Sequence, residues 1–245
     1  MGPESPQTDP HNFPQFYASE GADDSSLASP SEPEPSCSES AGICPTVVLV
    51  ELFSGLLPGS LAADSLNIPV AATFFSEIDE AAVQVASVQH PDAVPLGPIQ
   101  DISTATIQNI IDSFPQALFA ILGSPPCQDV SLLSGNRAGA DGPRSGLREE
   151  FARIYHTFEA LSPPGAVFGL MECTRMSRAD REAYDRVFGN PPVDVCARHF
   201  SPCTRGRLWW SSHSPFWPED VRFRTSPDGI QEIIPPRAES LFPKS

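Results

Sequence analysis

Lysine is almost missing from this chain of 245 residues: Lys244 is the only one, so the 15 basic residues are arginines with that single exception. Set against 31 acids, they leave a formal charge of −16. Such a chain lacks the broad basic surface of a general nucleic-acid binder, and any phosphate contact must come from locally placed arginines. No apolar run reaches the length of a membrane span, and the N-terminus has no charged-then-apolar secretory pattern. The expectation is a soluble intracellular protein. The six cysteines (Cys37, Cys44, Cys127, Cys173, Cys196, Cys203) form no CxxC pair and no metal-ligand spacing with the five histidines. That disfavours a zinc site or a disulfide frame and favours reduced thiols. Neither GxGxxG nor a phosphate-loop GK[ST] occurs, which removes the commonest dinucleotide and nucleoside-triphosphate signatures.

What is present divides at about residue 45. Residues 1–45 hold eight acids, no Lys or Arg, and much Pro and Ser, the composition of a disordered acidic tail. The remainder carries a net charge near −8. From residue 46, short apolar runs alternate with amphipathic stretches. Candidate strands are 46–53, 70–77, 93–97, 116–123, 165–172, 193–200 and 207–212. Helical patterns occupy "DEAAVQVASVQH", "STATIQNIIDSF", "SGLREEFARIYHTFEAL" and "SRADREAYDRVFG". This alternation predicts an α/β domain with a mostly parallel sheet covered on both faces, followed by an irregular segment over 213–245. In such sheets ligands bind at the carboxyl ends of the strands, so those ends are where chemistry is sought.

The first strand runs into "ELFSGLLPGS", in which Gly55 and Gly59 allow a tight turn and close approach of backbone to a ligand. An ordinary strand-to-helix turn would read the same way. The second ends in "SEIDE": Glu77 is placed to accept from both hydroxyls of a ribose, while Asp79 and Glu80 also suit a helix N-terminus. In "IQDIST", Asp101 can accept from an exocyclic amine with Ile102 over a flat ring, or can simply cap a helix. The fourth strand leads into "GSPPCQDVS", where Pro125 and Pro126 fix two φ angles and hold Cys127 at the sheet edge. A thiolate is a strong nucleophile, although a lone cysteine is more often a core residue. The fifth ends in "LMECT" and brings Glu172 to the same rim. One thiol and one carboxyl suit covalent attack on an electron-poor ring that is protonated as it is attacked. In "TRGRLWW", an extended backbone turns Arg205 and Arg207 to one side, fit for a carbonyl oxygen or a phosphate.

Taken in order, "ELFSG", "SEID", "QDIS", "GSPPCQDVS", "MECT" and "RGRLWW", covering roughly residues 46–212, resemble the cytosine-5 DNA methyltransferase family, closest to its animal de novo branch. SPPCQ is also similar to the branch that methylates transfer RNA. The resemblance implies a Rossmann-like sheet of the S-adenosylmethionine-dependent methyltransferase type, here C-terminally truncated. It implies S-adenosylmethionine bound by Phe53, Ser54, Gly55, Leu56, Glu77, Ile78, Asp101, Ile102 and Pro126. Cys127 would attack carbon 6 of cytosine, Glu172 would stabilise the protonated ring nitrogen, and Arg205 and Arg207 would fix the base or a phosphate. The implied partner is double-stranded DNA, from which the base is flipped out; the implied location is the nucleus. Alternative readings keep the chemistry on RNA, or keep the fold in a weakly active or inactive partner of another methyltransferase or chromatin protein.

The sequence departs from the family's pattern at three places. Cys173 and Thr174 follow Glu172 where the family usually has Asn, which braces the catalytic loop, and then Val. Ser54 stands where the closest branch often has Asp. After "RLWWSS" there is no trace of the target-recognition region or the two closing motifs, one of which is a helix that covers the sheet. The expectation is an exposed apolar face that a partner covers.

Overall fold

The computed structural model describes residues 46–131, 139–140, 142, 146–199, 201–213, 221–227 and 229–234. The chain divides into two units after Gly42; the expected tail at 1–45 lies outside the described residues. Among the described residues, nine strands form one sheet: β1 (Val47–Leu52), β2 (Val70–Ser76), β3 (Val94–Pro95), β4 (Leu118–Gly123), β5 (Val167–Thr174), β6 (Val193–Cys196), β7 (Gly206–Ser211), β8 (Arg222–Thr225) and β9 (Gln231–Ile234). Their order is β3-β2-β1-β4-β5-β7-β6-β9-β8. The five strands from β3 to β5 are parallel. β7 is antiparallel to both β5 and β6.

Among the described residues, five α-helices connect them: α1 (Pro58–Ser65), α2 (Glu80–Gln89), α3 (Thr104–Ser113), α4 (Leu147–Leu161) and α5 (Arg178–Phe188). The four helical patterns read in the sequence are α2 to α5. Their starts follow from local chemistry. Asp79, Ser103 and Ser177 accept from the backbone N–H of Ala82, Thr106 and Asp180 respectively, each cap stabilising its helix by about 1 kcal/mol. The alternative of Asp101 as a cap is thereby settled, because Ser103 caps α3 and Asp101 stands exposed in the short 3-10 turn before it. Helix α1 was hidden in the sequence inside a turn motif.

Right-handed crossovers decide which face each helix covers. The chain steps outward from β1 to β3 and then returns to β4, so helices change faces at that point. On one face α3, α4 and α5 bury Ile107, Ile110, Phe151, Ile154, Phe158 and Tyr184 against Val48, Val50, Phe119, Ile121, Val167, Met171 and Trp210. Gly169 permits close approach there, since a Cβ would lie 2.6 Å from both Tyr155 and Phe188. On the opposite face a small cluster of Leu57, Phe75 and Ala86 lies under α1 and α2.

The expectation of two covered faces is therefore corrected. Past α1, side chains on that second face of β4, β5 and β7 stay partly open: Leu118 is 38% exposed, Phe168 37% and Trp209 36%. With α1 as one wall they border a groove of about 570 Å³. The segment 213–245, read as irregular, also contains order, because β8 and β9 pair antiparallel within it and β9 joins β6.

Candidate active site

Strand order reverses between β1 and β4, so a crevice opens at their carboxyl ends. The turn leaving β1 forms one side of it. Phe53, Gly55 and Leu57 all have φ near +55°, a conformation that costs a non-glycine residue about 1 kcal/mol or more. Glu51 stabilises the start of α1 directly after this turn. Its carboxylate, only 2% exposed, accepts from the backbone N–H of Gly59 and Ser60, both at 2.8 Å, and from the Ser60 hydroxyl at 2.6 Å. Those N–H groups are orphan donors of the helix's first turn, where a negative charge is also favoured by the helix dipole. No side chain was expected in this role, because Glu51 is eight positions away and looked like one more strand residue.

Ser54 is buried with its hydroxyl unpartnered among the described residues, and it lines the groove beside Phe53. A buried hydroxyl without a partner costs free energy, so a ligand atom accepting or donating there would be stabilising. Leu56 points outward and is exposed. Glu77 follows β2, and its carboxylate accepts from Gly55 N–H at 2.8 Å, Ile78 N–H at 2.7 Å and Asp79 N–H at 2.9 Å. It thus ties the β1 turn to the β2 end. Ile78 beside it is 77% exposed and lines a second hollow of about 390 Å³ with Glu77 and Pro98. Ile102 is differently placed from the sequence expectation. It is 2% exposed and belongs to the core, while its carbonyl accepts from Arg153 at 2.9 Å. The apolar side chain standing free beside Glu77 is Ile78, not Ile102. Arg153, which also reaches the Ile99 carbonyl, anchors the Asp101 turn, a contact between distant segments that no local pattern announces.

On the other side of the crevice, Pro125 is buried and Pro126 half-buried. Cys127 is half-buried and carries a free thiol. Its carbonyl accepts from Val130 N–H at 3.2 Å and Ser131 N–H at 2.9 Å, which closes a turn directly after the cysteine. β5 lies next to β4 in parallel register, with Gly123 opposite Met171. Glu172 projects to the groove side, while its neighbour Cys173 points into the core. Burial, above all, pushes the Cys173 thiol up to about 12, so it stays protonated at neutral pH. Antiparallel β7 sets Thr174 opposite Arg207, and Arg207 Nε lies 2.6 Å from Glu172 Oε1. Arg205 stands exposed just before β7, its carbonyl accepting from Ala197 N–H at 2.9 Å. The structure therefore brings Glu172 and Arg207 into direct contact, with the Cys127 loop on the adjoining strand. Arg205 is exposed outside that pair.

Comparison with known proteins bears on the family and the fold. Residues 47–168 match the family model of C-5 cytosine-specific DNA methylases. The type II methyltransferase M.AquIA of Picosynechococcus sp. is 33% identical over 112 residues, 43% of this chain and 42% of that protein. The chain thus matches about two fifths of the length of that curated relative. Among solved structures, the Entamoeba histolytica methyltransferase EhMeth superposes with a TM-score of 0.51 at 20% identity, over 71% of this chain and 55% of that one. A prophage-encoded E. coli protein described as a DNA modification methyltransferase gives a TM-score of 0.50 at 20% identity, over 68% and 46%. Both share the α/β fold with its mostly parallel sheet. Residues 47–168 thus match the C-5 cytosine-specific DNA methylase model, and this part of the chain is homologous to a type II methyltransferase.

Proposed function

We propose that this chain is an S-adenosylmethionine-dependent DNA cytosine-5 methyltransferase that works through a covalent adduct on Cys127. The observation that carries the reading is the rim shared by neighbouring strands: the Cys127 loop after β4, and on β5 a Glu172 carboxylate held 2.6 Å from Arg207. A merely buried thiol would need neither partner.

Ser54, Gly55 and Leu56 of the strained turn, Glu77 with Ile78, and the Asp101 turn fit the cofactor, as the unpartnered Ser54 hydroxyl beside the groove indicates. When bound there, S-adenosylmethionine supplies an electrophilic methyl group. The chain's own residues do the rest. Cys127 thiolate forms a bond to carbon 6 of a flipped cytosine, and the electron pair of the ring double bond moves to carbon 5, which is otherwise a poor nucleophile. Glu172 holds a proton at ring nitrogen 3, so charge does not build up there as the sulfur adds. Arg207 fixes the rotamer of Glu172, and Arg205, exposed beside it, takes a phosphate. Once carbon 5 carries the methyl group, its proton leaves to water, the electron pair of that C–H bond re-forms the carbon 5–carbon 6 double bond, and the carbon 6–sulfur bond breaks to return the Cys127 thiolate.

The test is covalent trapping on oligonucleotides containing 5-fluorocytosine, as DNA and as RNA, with S-adenosylmethionine. A cofactor-dependent adduct on DNA, abolished in Cys127→Ser, is the expected result. An adduct on RNA alone would move the substrate to RNA. Absence of any adduct together with absence of cofactor binding would overturn the enzymatic reading in favour of a non-catalytic partner protein.

A further inference from the structure

Behind the Cys127 loop lies a contact that neither the fold nor the proposed chemistry accounts for. Ala140 has both of its backbone polar groups gripped by side chains of opposite charge. Its N–H donates to Asp180 Oδ1 at 2.9 Å, and its carbonyl accepts from Arg148 Nη1 at 2.6 Å. Both side chains are themselves held. Arg148 sits in the first turn of α4, is 5% exposed, and has its guanidinium 5.4 Å from the centroid of the Tyr184 ring. Asp180, in the first turn of α5, accepts from the Ser177 hydroxyl at 2.6 Å through its other oxygen. Next to Ala140, Gly139 has φ +78°, and a Cβ there would lie 3.2 Å from Asp180 Oδ1. The Gly139 N–H donates to the Asp129 carbonyl at 2.9 Å, and Asp129 is two positions beyond Cys127.

We propose that Arg148 and Asp180 are a positioning pair for Cys127, acting through Ala140, Gly139 and Asp129. The proposal rests on the reading of Cys127 as the nucleophile. Arg148 is nearly buried, with its Nη2 also paired to the exposed Glu149 carboxylate at 3.2 Å, and desolvating a guanidinium to this degree is costly. Packing of α4 and α5 does not require it, because Tyr155 and Phe188 already meet edge to face with centroids 4.9 Å apart. The pair also answers to a substitution in the active site. Cys173 stands where the resemblance leads one to expect an Asn that braces the catalytic loop, and it is buried in the same core cluster as Tyr184. The ring that receives Arg148 thus belongs to the cluster that holds Cys173, and the brace reaches the loop by another route.

The experiment measures wild type, Arg148→Met, Asp180→Ala and Asp180→Asn on the full chain. Its readouts are the rate of adduct formation on 5-fluorocytosine DNA, the KM for DNA, thermal unfolding, and hydrogen exchange at the Gly139 and Ala140 amides. The expected result is a loss of adduct rate of about tenfold or more in Arg148→Met and Asp180→Ala, as a displaced nucleophile predicts. KM should change little, and Asp180→Asn, which keeps the acceptor for Ala140 N–H, should recover most of the rate. In wild type the Ala140 amide should exchange about a hundredfold slower than an open loop amide, and Asp180→Ala should release it. Unchanged adduct rates in all variants, or an unprotected Ala140 amide in the wild type, would overturn the proposal. Should wild type form no adduct at all, the nucleophile reading fails, and the positioning role falls with it even if Ala140 is protected. Variants that do not fold leave the wild-type amide to decide.

Discussion

Cys127 and Cys173 show how two thiols close in sequence to the same rim receive opposite chemistry from their surroundings. The first sits on a proline-stiffened loop and is half-buried; the second points into the core from β5. Since burial raises the Cys173 thiol to about 12, the native state keeps a proton that the unfolded chain releases in the ordinary thiol range. Tyr155, raised to about 12 chiefly by burial, acts in the same sense. Stability from these groups is complete below about pH 9 and is lost as pH rises toward 12, with a slope of up to about 1.4 kcal/mol per pH unit for each proton retained. Urea unfolding at pH 8, 9, 10 and 11 should show this decline, and Cys173→Ala should flatten its lower part; equal slopes in the two proteins would show that Cys173 contributes nothing. At this scale much of the site could be read from the sequence. Cys127, Glu172, Arg207 and Glu77 each stand at a strand end, where residue type and position carry the signal. Ile102, Glu51 and Arg148 could not be read so, because an isoleucine after an Asp is apolar whether it faces a ligand or the core, and the partners of Glu51 and Arg148 are fixed only by the folded path.

Among the elements, α1 depends most visibly on a single side chain. It is eight residues long, its N-cap position is Leu57 in a left-handed conformation, and it has no side-chain cap of its own. Glu51 supplies that function from inside β1. Glu51→Ala should remove three accepted hydrogen bonds and leave buried donors unsatisfied, at a cost of about 2–5 kcal/mol. Gly59→Ala should also destabilise, by about 1–3 kcal/mol, since its Cβ would meet both the Glu51 carboxylate and Leu122. Denaturant midpoints of both variants test this, and a loss below about half a kcal/mol in Glu51→Ala would show that water replaces the carboxylate. The longer helices were legible because caps and periodicity agree. The β8–β9 pair was not, because RFRT alternates too briefly to stand out and QEII does not alternate at all. A signal was nonetheless there: Ser-Pro-Asp-Gly between two short runs is turn chemistry, and Gly229 N–H does donate to the Ser226 carbonyl at 3.0 Å.

For the molecule as a whole, the unequal covering of the sheet is the feature with the widest effect. Parallel sheets are ordinarily buried on both faces, yet Leu118, Phe168 and Trp209 remain more than a third exposed. The folded chain should therefore bind anilinonaphthalene sulfonate at neutral pH with its thermal transition intact. Phe168→Gln combined with Trp209→Gln should abolish most of that fluorescence without a comparable loss of stability. Undiminished dye binding in the double variant would place the apolar surface elsewhere. Fold class and a mostly parallel sheet could be argued from alternation of runs, but that alternation is silent about which helices share a face. That depends on where the chain reverses direction across the sheet.

The reversed strand β7 carries a last consequence, for how this sequence can change length. Glu172 meets Arg207 only because the register sets Glu172 opposite Trp209 and Thr174 opposite Arg207. Adding one residue inside β7 would swing the guanidinium through the sheet to the far side, and adding two would carry it a full pleat along. The connection between β6 and β7 is under no such restriction. Insertions are thus tolerable from Pro202 to Arg205 and ruinous two residues later, a sharp frontier between elastic and rigid sequence that a scan of single-residue insertions would trace.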